Sequence, residues 1–279
     1  METVCRGKRW EVLLSEHDGR VAGAMPYLCG RKLGLRYVLQ PQLTMFTGPW
    51  VADGGDRAAV MADLAQRFAA LRPALCCIKC APSITDVSAF TAAGLKAEPK
   101  PTYRFQHLLP LGELMAGASQ LRRRDYARNS GLLSVDTSLA PGEFAAFHKA
   151  CFEAGGGRDL VGRDLVELVC RTAIERGQGL LLGARDASGT LQAAAFAPYD
   201  SRCAYLLMLA HAPTAPRNAM TFAVWKLAEA LLGRTEAFDF EGGSEEGVAR
   251  FYASFGAERV QCWQLTSSQL PLVGKYILR

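Results

Sequence analysis

The sequence predicts an α/β protein of mixed sheets flanked by helices (α+β in character), with one such unit present twice. Strand-like alternation and helical periodicity succeed each other along the whole chain. Two pairs of marks also recur. Residues 18–27, built on the turn His17-Asp-Gly-Arg20, resemble residues 188–199, built on Asp186-Ala-Ser-Gly189. Phe90-Thr-Ala-Ala-Gly-Leu95 likewise matches Tyr252-Ala-Ser-Phe-Gly-Ala257. The glycines in these marks lie 75 residues apart (19 and 94) and 67 apart (189 and 256). These spacings predict units at 1–111 and 141–279, joined by a connector at 112–140.

The elements follow in order. Strands are expected at 11–14 and 20–27 around the Asp-Gly turn, and at 35–41. A helix at 57–71 stops before Pro73, and a short strand at 76–80 follows. A helix at 84–93 ends at Gly94, and a strand spans 103–109, with Pro99, Pro101 and Pro110 punctuating this block. One polar, Arg-rich helix is expected over 113–129. The second half adds helices at 141–153 and 164–176, strands at 179–185, 190–197 and 204–210, a strongly periodic helix at 219–232, a strand at 237–240, a helix at 245–255 and a strand at 260–265.

Composition narrows the function. At 279 residues, 49% hydrophobic and 21% charged, the chain has the make-up of a globular protein and not of a disordered one. No apolar run reaches the ~18 residues of a spanning helix, and the N-terminus lacks a signal-type apolar core, so a cytoplasmic protein is expected. The formal charge of +5 is uneven: residues 1–140 hold 18 basic against 12 acidic side chains, the remainder 14 against 15. Much of the excess lies in Arg122-Arg-Arg-Asp-Tyr-Ala-Arg128, whose plain reading is a solvated helix face. An anion contact through Arg123 and Arg124 is the functional reading, since guanidinium forks suit phosphate.

Nine cysteines fall mostly in apolar surroundings, and Cys77 and Cys80 have CxxC spacing without a second pair, so they read as strand packing. No metal is expected. Gly157-x4-Gly162-Arg163-Asp164 lacks the Lys and hydroxyl of a phosphate-binding loop. Residues 242–247 miss the GxSxG spacing. The four histidines, at 17, 107, 148 and 211, form no zinc motif.

The stretch 204–265 carries the chemistry. A strand, the loop His211-Ala-Pro-Thr-Ala-Pro-Arg-Asn218, a long helix, the strand Phe238-Asp-Phe240 and the helix Val248-Ala-Arg-Phe-Tyr-Ala-Ser-Phe255 follow in turn. This order resembles the core of the GNAT acyltransferase superfamily. The whole chain more closely resembles its FemAB-like branch, in which two such units are fused. Leu121-Arg-Arg-Arg-Asp-Tyr126, the segment 238–244 ahead of Arg250-Phe-Tyr252, and Gln40-Pro-Gln-Leu-Thr-Met-Phe-Thr-Gly48 carry that likeness.

The resemblance implies transfer of an acyl group from acetyl-CoA or another acyl-CoA to a small-molecule or peptide-like amine. It implies Tyr252 as general acid and Glu241 as a carboxylate that polarises the amine. It places the coenzyme pyrophosphate at Arg217, Asn218, Ala219 and Met220, and substrate at Arg123, Arg124, Ser244 and Arg250. The superfamily's glycine-rich loop is replaced by Pro216-Arg-Asn-Ala-Met220, where Asn218 stands in for a glycine through its tolerance of left-handed backbone. The FemAB-like branch implies two alternatives: an aminoacyl-tRNA-dependent transferase acting on a cell-wall precursor, or a non-catalytic binding protein with a decayed coenzyme A loop. An open, V-shaped splay between the strands at 204–210 and 238–240 is expected of the enzyme.

Overall fold

Asp18 and Gly19 take positive φ, 51° and 72°. A two-residue turn of this kind matches the right-handed twist of the strands it joins. It folds β1 (Trp10–His17) back on the long β2 (Arg20–Lys32), after a single-turn α1 (Glu2–Cys5). The computed structural model describes residues 1–32, 34–157 and 161–268. The chain divides into two compact units, Met1–Lys100 with the residues from Gln261 onward, and Pro101–Val260. Residues 158–160 of the Gly157–Arg163 segment, and residues 269–279, lie outside the described residues.

In the first unit, β2 pairs antiparallel with β3 (Leu35–Leu39) and with the short β4 (Trp50–Val51). β3 then pairs in parallel with β5 (Leu75–Lys79). α2 (Arg57–Ala70) buries Val60, Leu64 and Phe68 against Met25, Tyr27, Val38 and Ile78. The Asp56 side chain accepts the Ala59 N–H at 3.1 Å and caps this helix. α3 is shorter than its periodicity suggests, Ser88–Ala92 instead of 84–93. Asp86 accepts the Ser88 N–H at 2.8 Å, which holds the preceding residues in a turn instead of a helix.

The chain enters the second unit through β6 (Lys96–Phe105), which includes Pro99 and Pro101 instead of being bounded by them. Proline's fixed φ is compatible with extended backbone, and only its missing N–H restricts where it can sit in a sheet. The expected helix at 113–129 is two helices, α4 (Leu111–Gly117) and α5 (Gln120–Ser130). Ala118 is extended at ψ 157°, and Ser119 caps α5 by accepting the Arg122 N–H at 3.3 Å. β7 (Ser134–Asp136), α6 (Pro141–Ala154) and α7 (Arg163–Glu175) precede the hairpin of β8 (Gly179–Arg185) and β9 (Leu191–Pro198).

The expected strand 204–210 is also two, β10 (Cys203–Tyr205) and β11 (Met208–His211), and they belong to different sheets. One runs β11-β9-β8-β7; in the other, β10 lies beside β12 (Ala237–Asp239), which pairs with the end of β6. α8 (Ala219–Leu231) sits under both, with Phe222, Val224, Trp225 and Leu227 buried among alanines of β9 and the rings of Phe105, Phe238, Phe240 and Phe255. α9 (Glu246–Ala253) follows, and β13 (Glu258–Ser268) leads back into the first unit, where Leu265 faces Ile78.

All nine cysteines are free; Cys76 of β5 and Cys80 just after it pack in the core, and Cys77 is half-buried. Burial drives the Cys80 thiol up to about 12, so it stays neutral. No helix among the described residues is long and apolar enough to cross a membrane.

Trp225 is fully buried and its ring lies 6.0 Å from Phe105 and 5.0 Å from Phe255. Trp225→Ala should cost about 3–5 kcal/mol, the usual range for emptying an aromatic site in a core. Urea unfolding measures this, and a loss below 1 kcal/mol would contradict the packing described.

Candidate functional site

The site begins where one strand changes partner. Cys203, Ala204 and Tyr205 pair in parallel with Ala237, Phe238 and Asp239. The Leu206 N–H still donates to the Asp239 carbonyl at 2.8 Å, but the Leu207 N–H donates to Phe196 of β9 at 3.1 Å. From Met208 onward the chain pairs only with β9, and β12 ends at Asp239. The two central strands therefore part at Leu206–Leu207, and the splay is present. β11 is the edge of its sheet, so its second side is unpaired. Antiparallel pairing alternates, with Ala212 still donating to Gln192, so the backbone groups of Leu209 and His211 face the unpaired side.

A cavity of about 370 Å³ lies along this edge. Leu209, Ala210 and His211 all line it. Three consecutive strand residues share one cavity only along an edge, because neighbouring side chains point to opposite faces. His148, Cys151 and Phe152 of α6 form the opposite wall, and Met220 closes one end. The Nδ1 atom of His211 lies 3.0 Å from the Ala212 carbonyl oxygen. A carbonyl only accepts, so Nδ1 is the donor in this contact and Nε2 is the ring nitrogen left for other partners. Spacing in the sequence gave no hint of this, since His148 and His211 are 63 residues apart and meet only through the fold.

Beyond the end of β12, Glu241 adopts left-handed backbone, φ 54°, followed by Gly242 and Gly243 at 108° and 123°. Buried Asp239 holds this turn. Its Oδ1 accepts the Glu241 N–H at 2.7 Å and the Thr102 hydroxyl, and its Oδ2 lies 3.4 Å from Arg104 Nε. The Thr102 hydroxyl in turn accepts the Gly242 N–H at 3.2 Å. Gly243 is required here, since a Cβ would meet the Tyr103 ring at 2.7 Å. Tyr252 of α9 packs its ring on Phe240 at 5.0 Å and beside Tyr103 at 6.3 Å. Burial, then the charges of Glu241 and Asp239, push its phenol up to about 12. Tyr252 and Glu241, expected as a pair, are brought together; Asp239, Thr102 and Arg104, which organise them, carried no motif.

The Arg-rich helix is a solvated face with one arginine, Arg122, turned inward beside the buried Asp125 and Asn129. Arg122, 6% exposed, donates to the Thr221 hydroxyl of α8 at 2.6 Å and stacks over Phe251 at 5.1 Å. Its guanidinium pKa is pulled down by burial, which Asp125 opposes. Asp125, 1% exposed, accepts the side-chain amide of Asn218 at 2.9 Å and pairs with Arg122 at 3.5 Å and Arg128 at 3.7 Å. Asn129 donates to the Arg217 carbonyl at 3.2 Å. α5 is thus clamped on the N-terminus of α8. Arg123 donates to the carbonyls of Met115, Ala116 and Ala118 at the end of α4, a helix-capping arrangement. Arg124 is exposed.

The remaining expected residues scatter. Asn218 caps α8 in left-handed backbone, φ 61°. Ala219 is buried with its N–H bonded to the Pro216 carbonyl at 3.0 Å, and Arg217 is exposed. Ser244 is exposed on the loop after the glycines, and Arg250 is exposed, 3.9 Å from Glu246 on its own helix. Among the described residues no three His, Cys, Asp or Glu side chains gather into a metal-binding group.

No family model and no curated protein matches the sequence. Solved structures do match over nearly the full length. FemX aligns with a TM-score of 0.71 at 14% identity, covering 100% of this chain and 92% of the other. The chain has the tandem GNAT fold of the FemAB-like type. The C-terminal domain of a putative lysylphosphatidylglycerol synthetase from Agrobacterium fabrum shares this fold, with a TM-score of 0.66, 16% identity, and 99% and 91% coverage. A tandem GNAT protein from the clavulanic acid biosynthesis pathway does so at 0.57, 16% identity, 92% and 82%. In the tandem GNAT fold the splayed strands, the helix after the first of them and the helix after the second are β11, α8, β12 and α9 here.

Asn218 offers a test of the cap. Asn218→Gly and Asn218→Ala both remove the bond to Asp125, but only alanine strains the left-handed backbone. The alanine variant should be less stable than the glycine variant by about 1–2 kcal/mol, and equal unfolding free energies would remove the backbone argument.

Proposed function

We propose that the chain is an acyl- or aminoacyltransferase that joins the carbonyl carbon of an activated ester to an amine in the splay between β11 and β12. The observation that carries this reading is the change of partner at Leu206–Leu207, which leaves an unpaired strand edge beside a cavity. An extended donor arm can lie along that edge by hydrogen-bonding the backbone of Leu209 and His211. The proposal includes one unit duplicated over residues 1–111 and 141–279, with 112–140 as connector.

Most of the acceleration on this reading comes from holding ester and amine together, worth up to roughly 7–11 kcal/mol. Proton transfers supply the rest. His211 Nε2 takes the proton from the attacking amine, and the neutral Tyr252 phenol gives one to the leaving oxygen or sulfur. Solvent then carries the proton from the imidazolium and restores the phenol. Burial, seconded by the charge of Glu241 beside it, holds that phenol protonated. The acceptor is a small-molecule or peptide-like amine lying against Phe152 and Leu209. The putative lysylphosphatidylglycerol synthetase and the tandem GNAT protein, solved without acetyl-CoA, suggest two donor classes, an aminoacyl ester and an acyl thioester. A carboxylate at the head of α8 favours the first, in which tRNA is the partner.

The test is amide formation followed by mass spectrometry, with aminoacyl-tRNA and acetyl-CoA as donors and a lysine-bearing peptide as acceptor. Tyr252→Phe should lower kcat by about 100- to 10,000-fold with KM little changed. His211→Gln should lower kcat by about 100-fold or more with KM little changed. A Tyr252→Phe enzyme with unchanged kcat would sink the acid–base assignment. Absence of product from both donors, in a protein that unfolds cooperatively, would sink the transferase.

A further inference from the structure

The tandem GNAT fold implies a coenzyme A pyrophosphate at the N-terminus of the helix after the first splayed strand, here α8. Such a terminus suits an anion because its first N–H groups lack partners and the helix dipole presents positive charge. In this chain the place already has an anion. Asp125 is almost fully buried, bonded to the cap residue Asn218, and held by Arg122 and Arg128. Asn129 pins the same helix to the loop through the Arg217 carbonyl, and Arg122 donates to the Thr221 hydroxyl in the first turn. The Ala219 N–H is consumed by Pro216.

The first unit repeats the theme independently. Its α2 occupies the place of α8 in the duplicated order of hairpin, strand, helix and strand. The N-terminus of α2 is capped by the carboxylate of Asp56, 3.1 Å from the Ala59 N–H, in the acidic loop Asp53-Gly-Gly-Asp56. Both helix N-termini therefore carry a carboxylate, and α8 also commits the N–H groups of Ala219 and Thr221 to the Pro216 and Asn218 carbonyls. A diphosphate at α8 would face a fixed carboxylate bonded to the cap residue itself, with the guanidiniums of Arg122 and Arg128 already paired to that carboxylate.

We infer that α5 is an internal plug whose Asp125 replaces the ligand anion at α8, and that the protein selects a donor whose phosphates are held elsewhere. This rests on the transferase reading for what the donor does, but the exclusion of coenzyme A stands or falls by itself. Asp125 is then a specificity-determining residue, acting through charge at the helix terminus and not on the reacting atoms.

The experiment measures binding, on the full chain, by calorimetry and thermal shift, with acetyl-CoA and inorganic pyrophosphate as probes. Wild-type protein should show no heat and no rise in melting temperature at about 1 mM of either probe. Asp125→Asn, which keeps shape but frees Arg122, Arg128 and the helix end, should gain pyrophosphate binding by at least about tenfold. A wild-type dissociation constant for acetyl-CoA below about 100 µM would overturn the inference at once, whether or not the variant folds. An Asp125→Asn protein that folds and gains no pyrophosphate binding would overturn the plug as its cause. The transferase reading is read separately, from amide product with aminoacyl-tRNA. Product without coenzyme binding supports both, coenzyme binding with product removes only the exclusion, and no product from either donor removes only the transferase.

Discussion

A strand can pair with only two neighbours, and the segment Cys203–His211 uses that limit to open the molecule. Its first three residues take β12 as partner, its last four take β9, and between them Leu206 and Leu207 send single bonds in opposite directions. Continuing the pairing with β12 would close the splay and cover the edge of β11. The break leaves backbone groups unpaired at a cavity wall, which costs stability unless water or a ligand answers them. Everything assigned a chemical role hangs from the consequences: the cavity follows the free edge, and Glu241 begins where β12 stops.

That break would spread along β12 if its end were not anchored. Asp239 anchors it, fully buried between Thr102 and Arg104, with its side chain rather than a strand partner receiving the Glu241 N–H. A buried ion pair contributes little net stability compared with an apolar pair of the same size, because desolvation offsets the attraction. Its effect here is conformational. It fixes one left-handed turn, and so places one carboxylate beside one phenol.

The fold was legible where local chemistry and tertiary demand agree. The Asp-Gly turn, the periodic α8 and the glycine after α9 all declare themselves over a few residues. The misreadings occur where contacts distant in sequence override local pattern. Residues 113–129 look like one polar helix, but Ser119 starts a second one and turns Arg122 inward to Thr221, 99 residues away. Asn218 was readable because left-handed backbone restricts residue type at the position itself. Asp125, His211 and Asp239 were not, because a carboxylate or imidazole acquires its role from what the fold sets opposite it.

The same logic explains why the Arg-rich segment, the most conspicuous charge in the sequence, splits into unlike residues. Four arginines on an isolated helix would repel one another and face water. Once one acidic residue of that helix is buried at the foot of α8, two of the four have a local counter-charge, and one of these, Arg122, can follow it into the interior. Arg123 turns to the carbonyls that end α4, where the helix dipole favours a cation. Arg124 lies in solvent, and Arg123 and Arg128 remain exposed beside their partners. The positive balance of the first 140 residues therefore overstates what reaches a partner. In α5, Arg122 and Arg123 hold helices together and Arg128 pairs with Asp125 of its own helix.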